Sequence, residues 1–345
     1  MELSVILRAT ILFGAATALP PLFPRLYMEP CGDGAGVCMT GIECGFQRGR
    51  SLGSCALGTC CRLEKTCGGR IVANNTYFVS PYESVRGGSS CSVEVQKKWH
   101  ISGVCQMRLD FIEFDTVGPN FATGACIHDS FSVSGADRSV PTICGRNNKQ
   151  HMYIDVRNAR SIRLNVNLGQ NSTSRQWKIR VTQIPCYSER LAPANCLQYF
   201  EEDSGIISSF NYGNLFNDSS YPLDLRYQMC FREACIVQLT QVGPFGLGEK
   251  PEASGRFADN LGDLSDRTCD DLTSYDENRK RKAYLTIDGI KFCGNKFLRS
   301  FRTRNAISSI GFNSPEREEG RDDYGRAPYS GFQLQYKSNC GRLLK

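Results

Sequence analysis

The residues most able to do chemistry in this 345-residue chain are its 18 cysteines and three histidines. Thiolates and imidazoles ligate zinc when they stand at short fixed spacings, such as C-x-x-C or H-E-x-x-H. Neither spacing occurs, and His100, His128 and His151 are isolated from one another along the chain. We therefore expect no zinc site and no free thiol, because an even cysteine count is typical of a disulfide framework.

The N-terminus and the glycosylation tripeptides indicate export from the cell. Residues 1–18 contain a short apolar stretch that ends in Ala16-Thr17-Ala18, which predicts a signal peptide cleaved after Ala18; a short buried helix or an uncleaved anchor is the alternative. N-glycosylation sequons begin at Asn74, Asn171 and Asn217. No other stretch approaches the ~18 apolar residues that a membrane helix needs. We expect a secreted, extracellular glycoprotein without membrane insertion.

The charge of the chain argues against one class of partner. The formal net charge is only +6, and nucleic-acid binding needs a concentrated basic face or a recognition motif. The basic run Arg279-Lys280-Arg281-Lys282 could contact an anionic glycan or be a processing site, but it is more typical of an exposed hairpin. We expect no nucleic-acid partner.

The cysteines divide the chain into three groups of six. Residues 19–30 form a proline-rich linker, and residues 31–66 hold Cys31, Cys38, Cys44, Cys55, Cys60 and Cys61. This segment has few large apolar residues, so disulfides must replace a hydrophobic core; several pairings are possible, and the residues alone leave the choice open. The remaining cysteines form two sets, which define an internal repeat at 67–186 and 196–340: Cys67, Cys91, Cys105, Cys126, Cys144 and Cys186, then Cys196, Cys230, Cys235, Cys269, Cys293 and Cys340.

Both repeats show the period-two pattern of β-strands. Apolar residues alternate with polar ones over Ile162–Leu168 and over Trp177–Thr182, and again over Phe332–Lys337 before the last cysteine. In Met107–Phe114 the alternation slips at Ile112, as a β-bulge would produce. No helical periodicity of useful length is present. The pattern predicts an all-β protein with two tandem β-sandwiches.

The motifs of the two repeats resemble CUB domains. The second repeat has Gly205-Ile206-Ile207-Ser208-Ser209 after its first cysteine, and Ile143-Cys144-Gly145 and Phe292-Cys293-Gly294 look like the family's C-G. The resemblance covers residues 67–340 and is more specific in the first repeat. It implies jelly-roll sandwiches, with Cys67–Cys91 and Cys126–Cys144 in the first repeat and Cys196–Cys230 and Cys269–Cys293 in the second. We propose that the extra cysteines pair as Cys105–Cys186 and Cys235–Cys340. The whole pattern resembles arthropod secreted CUB-containing proteins.

The segment 31–66 ends in the doublet Cys60-Cys61 and so resembles a clip domain. That resemblance implies the pairs Cys31–Cys60, Cys38–Cys55 and Cys44–Cys61. Clip modules usually precede serine proteases, and Cys67-Gly68-Gly69-Arg70-Ile71-Val72 is similar to a protease activation junction. Cleavage after Arg70 is therefore conceivable, the alternative being an exposed or paired arginine. A protease also needs a histidine base and an activated serine; A-H-C and G-D-S-G-G are both missing, so we expect no enzyme and no catalytic residues.

Calcium is the one ion that the CUB resemblance implies, because many CUB domains hold it with acids from separate loops. In the first repeat Asp129 stands at one ligand position, but the other acids are not in place. In the second repeat the candidates are Asp270, Asp271, Asp322 and Asp323. The alternative is solvated loop charge, so no cofactor is expected apart from a possible calcium ion.

The sequence thus predicts a secreted, non-catalytic protein that binds extracellular protein or glycan partners through loops on rigid sandwiches. The alternative is a regulator or cofactor, a pseudo-zymogen, of an extracellular clip serine-protease cascade.

Overall fold

The computed structural model describes residues 30–56, 58–82, 85, 87–97, 103–120, 123–170, 174–213, 220–248, 269, 283–315 and 330–340. The chain divides into two compact units, Met1–Cys61 and Arg62–Lys345. Within the described part of the chain, no helix is long and apolar enough to cross a membrane.

The first unit is a small module held together by disulfide bonds. Its sheet has the strand order β1-β2-β4-β3, and the short helix α1 lies beside β3. Val37 and Met39 are its only buried apolar side chains other than cysteines among the described residues. A core of this size cannot fold a chain by burial alone, so the covalent links replace it. The elements are β1 Pro30–Cys31, β2 Gly36–Met39, α1 Gly41–Phe46, β3 Arg50–Cys55 and β4 Gly58–Arg62.

The second unit begins with a two-layered β-sandwich. One sheet has the order β10-β12-β8-β6 and the other β11-β9-β13-β7-β5. Alternate side chains point into the space between them, where Phe111, Phe114 and Phe131 pack edge-to-face beside Trp177. The strands are β5 Glu64–Lys65, β6 Arg70–Ile71, β7 Thr76–Val79, β8 Ser90–Gln96, β9 Val104–Asp115, β10 Asp129–Ser134, β11 His151–Asp155, β12 Ser161–Leu168 and β13 Gln176–Pro185.

The predicted bulge is present in β9. Glu113 pairs with Lys178 and Phe111 with Ile179, so Ile112 has no partner in the ladder with β13. Its side chain is 41% exposed, whereas Phe111 and Phe114 are fully buried. The extra residue restores the phase of the alternation, which brings both phenylalanines into one core.

The second sandwich is built around one long strand, β16. Its first half pairs with β14 up to Phe231 and with β20 up to Cys230 and again at Cys235. Its second half, from Ile236, pairs with β21. The register shifts between Cys230 and Cys235, as is typical of a strand that turns a corner between two sheets. The strands are β14 Cys196–Phe200, β15 Ser204–Ser208, β16 Leu225–Gln241, β17 Tyr284–Ile287, β18 Ile290–Phe292, β19 Ser300–Arg302, β20 Ile307–Ser314 and β21 Gln333–Asn339. The all-β prediction is confirmed.

Every cysteine is disulfide-bonded. The nine bonds are the nine pairs set out above, three in each group of six: Cys31–Cys60, Cys38–Cys55, Cys44–Cys61, Cys67–Cys91, Cys105–Cys186, Cys126–Cys144, Cys196–Cys230, Cys235–Cys340 and Cys269–Cys293.

Candidate binding surfaces

The possible cleavage site lies in regular structure. Arg70 and Ile71 form β6, which pairs in parallel with Glu94 and Val95 of β8. The Arg70 side chain is 64% exposed and lies 3.6 Å from a Glu94 carboxylate oxygen, whereas Ile71 is fully buried in the core. The Arg70 side chain is therefore accessible to a protease, but the peptide bond that follows it is held in a β-sheet.

Of the three sequons, the one at Asn74 lies among the described residues. The Asn74 side-chain oxygen accepts the backbone N–H of Gln183 at 2.7 Å. Thr76 is buried and donates its hydroxyl to the Ala73 carbonyl. The sequons at Asn171 and Asn217 lie outside the described residues, as do the calcium candidates Asp270, Asp271, Asp322 and Asp323 and the signal peptide.

Asp129 does not fit calcium, because its carboxylate is already saturated. Oδ2 accepts Nε of Arg175 and the amide of Val117, both at 2.8 Å. Oδ1 accepts Nη2 of Arg175 and the amide of Gly169, both at 2.9 Å. Four donors fill the lone-pair positions of a carboxylate, so a cation could bind here only if Arg175 left.

His151 lies where the two sandwiches meet. Its Nε2 is 3.0 Å from the carbonyl oxygen and 3.1 Å from the amide nitrogen of Tyr199, so the backbone of β14 fixes the ring in either tautomer. Burial, and then the charge of Arg108, lower the pKa of His151 to about 4. A neutral, buried ring that is bound to backbone cannot act as a base for a bound substrate. His128 is exposed, and His100 lies outside the described residues.

Side-chain amides join the two sandwiches. Gln150 donates to the Ser209 carbonyl at 2.9 Å and accepts from Gln198 at 3.1 Å. Gln106 forms a pair of hydrogen bonds with the backbone of Ala192, in the segment between the sandwiches. Such bonds have a narrow range of distance and angle, so they fix the relative orientation of the two sandwiches. We call these contacts, together with those of Asn211, the joint.

Asn211 is bonded to residues of both sandwiches. Its side-chain oxygen accepts the amide of Arg146 at 2.8 Å, its side-chain nitrogen donates to Ser220, and its own amide donates to Asn147. It adopts a φ of +54°, which asparagine tolerates better than most residues. A Cβ on Gly145 would overlap the Asn211 amide, so glycine is required there.

The second sandwich has an acidic concavity of about 350 Å³, which we call the acidic pocket. Glu202 and Asp203 come from the turn between β14 and β15, and Glu233 comes from the corner of β16. The lining residues are Glu202, Asp203, Phe231, Arg232, Glu233, Cys235, Ser338, Asn339 and Cys340. Three carboxylates against one guanidinium give the pocket a negative field.

The backbone around the acidic pocket is held in place. The Tyr336 hydroxyl donates to the Glu202 carbonyl at 3.1 Å, and the Ser338 amide donates to the Asp203 carbonyl at 2.7 Å. The disulfide Cys235–Cys340 ties β16 to the end of β21. Although Glu233 and these two sulfurs lie within 4.8 Å of one another, bonded sulfurs supply no thiolate, so the group is not a zinc site. The charged side chains themselves are exposed and available to a partner.

The acidic pocket does not follow from any local pattern in the sequence. Glu202 and Glu233 lie 31 positions apart. Only the turn and the corner of β16 bring them together. The run Glu201-Glu202-Asp203 was the one available signal.

Comparisons with known proteins agree with the architecture of the second repeat. Residues 193–339 match the family model of the animal CUB domain, although the motifs had looked more specific in the first repeat. Among solved structures, the CUB1-EGF-CUB2 domains of rat MASP-1 are similar at 13% identity and a TM-score of 0.28, covering 78% of this chain and 99% of that one. The full extracellular region of zebrafish Gpr126/Adgrg6 is similar at 12% identity and a TM-score of 0.30, covering 79% and 36%.

These TM-scores are too low to support a conclusion about the function of this chain. No curated protein matches the chain. The family assignment rests on the match of the family model, which falls on the sandwich that contains the acidic pocket. Residues 193–339 of this chain are a CUB domain.

Proposed function

We propose that this protein is an extracellular, non-catalytic binding protein whose CUB domain holds a basic side chain of a protein partner in the acidic pocket. The observation that carries the proposal is the preorganised cluster of Glu202, Asp203 and Glu233. Nine disulfides support an oxidising, extracellular compartment.

The pocket has the size and charge for a lysine or arginine side chain. Its volume of about 350 Å³ lies at the small end of ligand pockets. Carboxylates form their strongest hydrogen bonds with cationic donors, and exposed charges raise the rate of encounter more than they raise affinity. A neutral sugar would gain little from this field, so we favour a protein over a glycan.

The rigidity of the pocket supports binding. Because β21 and the disulfide already hold the backbone, only side chains need to be ordered when a partner arrives. Preorganisation of this kind reduces the entropic cost of association.

Several groups that could act in catalysis are engaged by the fold, which favours a binding role. Within the described residues, His151 is engaged by the Tyr199 backbone, all cysteines are disulfide-bonded, and the buried acid Asp129 is neutralised by Arg175. A nucleophilic mechanism needs a nucleophile with an adjacent base.

The test is capture from extracellular fluid on immobilised, glycosylated protein, followed by mass spectrometry. A Glu202→Gln/Glu233→Gln variant keeps the shape of the pocket and removes two charges. We expect the variant to lose a defined protein that the natural chain retains. Glu189→Gln, which removes an exposed carboxylate in the segment between the sandwiches, should retain it. Equal capture by all three proteins would refute the acidic pocket, and capture that is lost when the fluid is deglycosylated would identify a glycan instead.

A further inference from the structure

The helix α1 of the N-terminal module exposes two large apolar side chains on one face. Ile42 is 75% exposed and Phe46 is 85% exposed. Residues four apart lie on the same side of a helix. The single buried residue of α1 is Cys44, which lies about 200° around the helix from either of them, so the disulfide Cys44–Cys61 turns this face outward.

The end of the same helix holds an arginine in an unfavourable conformation. Arg48 donates its amide to the Gly45 carbonyl, and Gly49 donates to the Cys44 carbonyl, which is the pattern of a Schellman C-cap. The residue at the position of Arg48 is usually glycine, because φ is positive there; Arg48 has a φ of +54°. A strained residue of this kind points to a functional role for its side chain.

Two cations follow the exposed phenylalanine closely in the sequence, one just after the end of α1 and one at the start of β3. Arg48 and Arg50 are exposed, and among the described residues neither guanidinium has a hydrogen bond or an ion pair. We define the α1 face as Ile42, Phe46, Arg48 and Arg50. Aromatic side chains and arginine are the residue types most enriched at the centres of protein interfaces.

We propose that the α1 face is a docking site for an acidic protein segment that carries a large apolar side chain. The apolar side chain would cover Ile42 and Phe46, and the carboxylates would pair with Arg48 and Arg50. Charge complementarity selects this partner, because the cations of the face have no counter-charge of their own. The site is separate from the acidic pocket, and the proposal does not rest on the function proposed above.

A protein fits this face better than an anionic membrane does. Membrane-surface helices combine a long apolar face with many basic residues, whereas α1 has six residues.

The test uses the full-length glycosylated protein and a phage-displayed library of random twelve-residue peptides. We expect enriched peptides to combine aspartate or glutamate with a large apolar residue. As synthetic peptides they should bind Phe46→Ser and an Arg48→Gly/Arg50→Ser variant at least ~10-fold more weakly than the natural chain, as loss of a central anchor predicts. The controls are Tyr187→Ser, which removes an aromatic side chain of similar exposure (72%) in the other unit, and Glu233→Gln in the acidic pocket; neither should alter binding.

Misfolding of these variants should not be the cause of their weaker peptide binding. The exposed side chains contribute little to packing, so the variants should keep all nine disulfides and an unchanged thermal transition; Arg48→Gly should even be more stable, since glycine suits a positive φ. The proposal is overturned if no peptide is enriched, if enriched peptides lack acidic residues, or if Phe46→Ser binds them equally. Phe46-dependent sedimentation with phosphatidylserine vesicles, or Phe46-dependent self-association, without peptide binding would also overturn it.

Discussion

Arg175 and Asp129 form an ion pair that is sealed from solvent inside the first sandwich. Both side chains are 0% exposed, and two charge-assisted hydrogen bonds of 2.8 and 2.9 Å join them. The acid that the CUB resemblance connects with calcium is thus neutralised by a guanidinium of the same chain.

Removing one member of this pair should destabilise the first sandwich. Arg175→Met leaves a buried carboxylate without its counter-charge, which typically costs roughly 3–5 kcal/mol. Unfolding in guanidinium chloride can be followed by tryptophan fluorescence, because both tryptophans, Trp99 and Trp177, belong to the first repeat. Arg160→Met removes an exposed arginine and should change the free energy of unfolding little; equal effects of the two variants would contradict this account.

Calcium should not stabilise the first sandwich. The oxygens of Asp129 already accept four hydrogen bonds, and a ligand stabilises a fold only if it binds the native state. The tryptophan-detected unfolding midpoint should be the same in millimolar Ca²⁺ and in EDTA. A higher midpoint in Ca²⁺ would show that the ion displaces Arg175. Calcium binding by the second sandwich remains a prediction, to be tested by calorimetric titration.

Stability should depend on pH through His151. Its pKa is about 4 in the folded protein and about 6.5 when unfolded, so between these values the unfolded chain binds a proton that the folded chain excludes. The free energy of unfolding should therefore fall as the pH falls from about 6.5 to about 4, by up to about 3 kcal/mol from this group, and no further below that window.

The matched variants for this prediction are His151→Gln and His128→Gln. We expect His151→Gln to show a flatter pH dependence than the natural chain between pH 4 and 6.5, with the exposed His128→Gln unchanged. Arg108 and Asp110 also affect the pKa of His151. Comparing the variants therefore isolates the contribution of His151 to the pH dependence of stability better than measuring the natural chain alone. Parallel curves for all three proteins would exclude His151 as the source.

The joint should depend on the Asn211 amide. Asn211→Gly keeps a residue that tolerates positive φ but loses the bonds to Arg146 and Ser220; buried donors and acceptors left without partners should cost about 1–3 kcal/mol. Hydrogen exchange should show faster exchange of the amides of Arg146 and Asn211. Asn195→Gly is the control, because Asn195 also has positive φ (+71°) but is exposed.

A second variant tests the joint by changing the residue of the first sandwich that lies against the Asn211 side chain. Gly145→Ala places a methyl group against the Asn211 amide at a φ of +82°. It should increase the same exchange rates at least as much as Asn211→Gly. Unchanged exchange in both variants would show that these bonds do not hold the joint.

The bond after Arg70 should resist trypsin in the folded protein. Cleavage requires an extended, accessible segment, but Ile71 is buried and pairs with Val95, so opening must precede the cut. Arg190, exposed in the segment between the sandwiches, should be cut before Arg70, as mass spectrometry of timed digests would reveal. Rapid formation of a chain that begins at Ile71 would instead support the pseudo-zymogen alternative.

Short-range patterns predicted much of this fold. The alternation in Ile162–Leu168 and the slip at Ile112 correspond to β12 and to the bulge in β9, because period and phase are local properties of a strand. The pattern also predicted the all-β class. The helix α1 was missed: six residues are too few for a helical period, and its position depends on Cys44–Cys61.

Features that depend on distant residues were not predictable in the same way. Nothing in the sequence indicates that Arg175 reaches Asp129, 46 positions away, or that the corner of β16 brings Glu233 to the turn at Glu202 and Asp203. These contacts follow from the folding of the sheets. The match of the CUB family model to residues 193–339 was likewise not evident from short motifs, which are more specific in the first repeat.

The hydrogen-bonded joint has a consequence for discrimination between partners. Because Gln150, Gln198 and Asn211 fix the two sandwiches by directional bonds, the spacing between any two sites on them is set before a partner arrives. A target whose own sites match that spacing gains a second contact at little further entropic cost, whereas a target with a different spacing gains none. Among targets whose individual sites have the same chemistry, the joint would then favour those whose sites are the right distance apart.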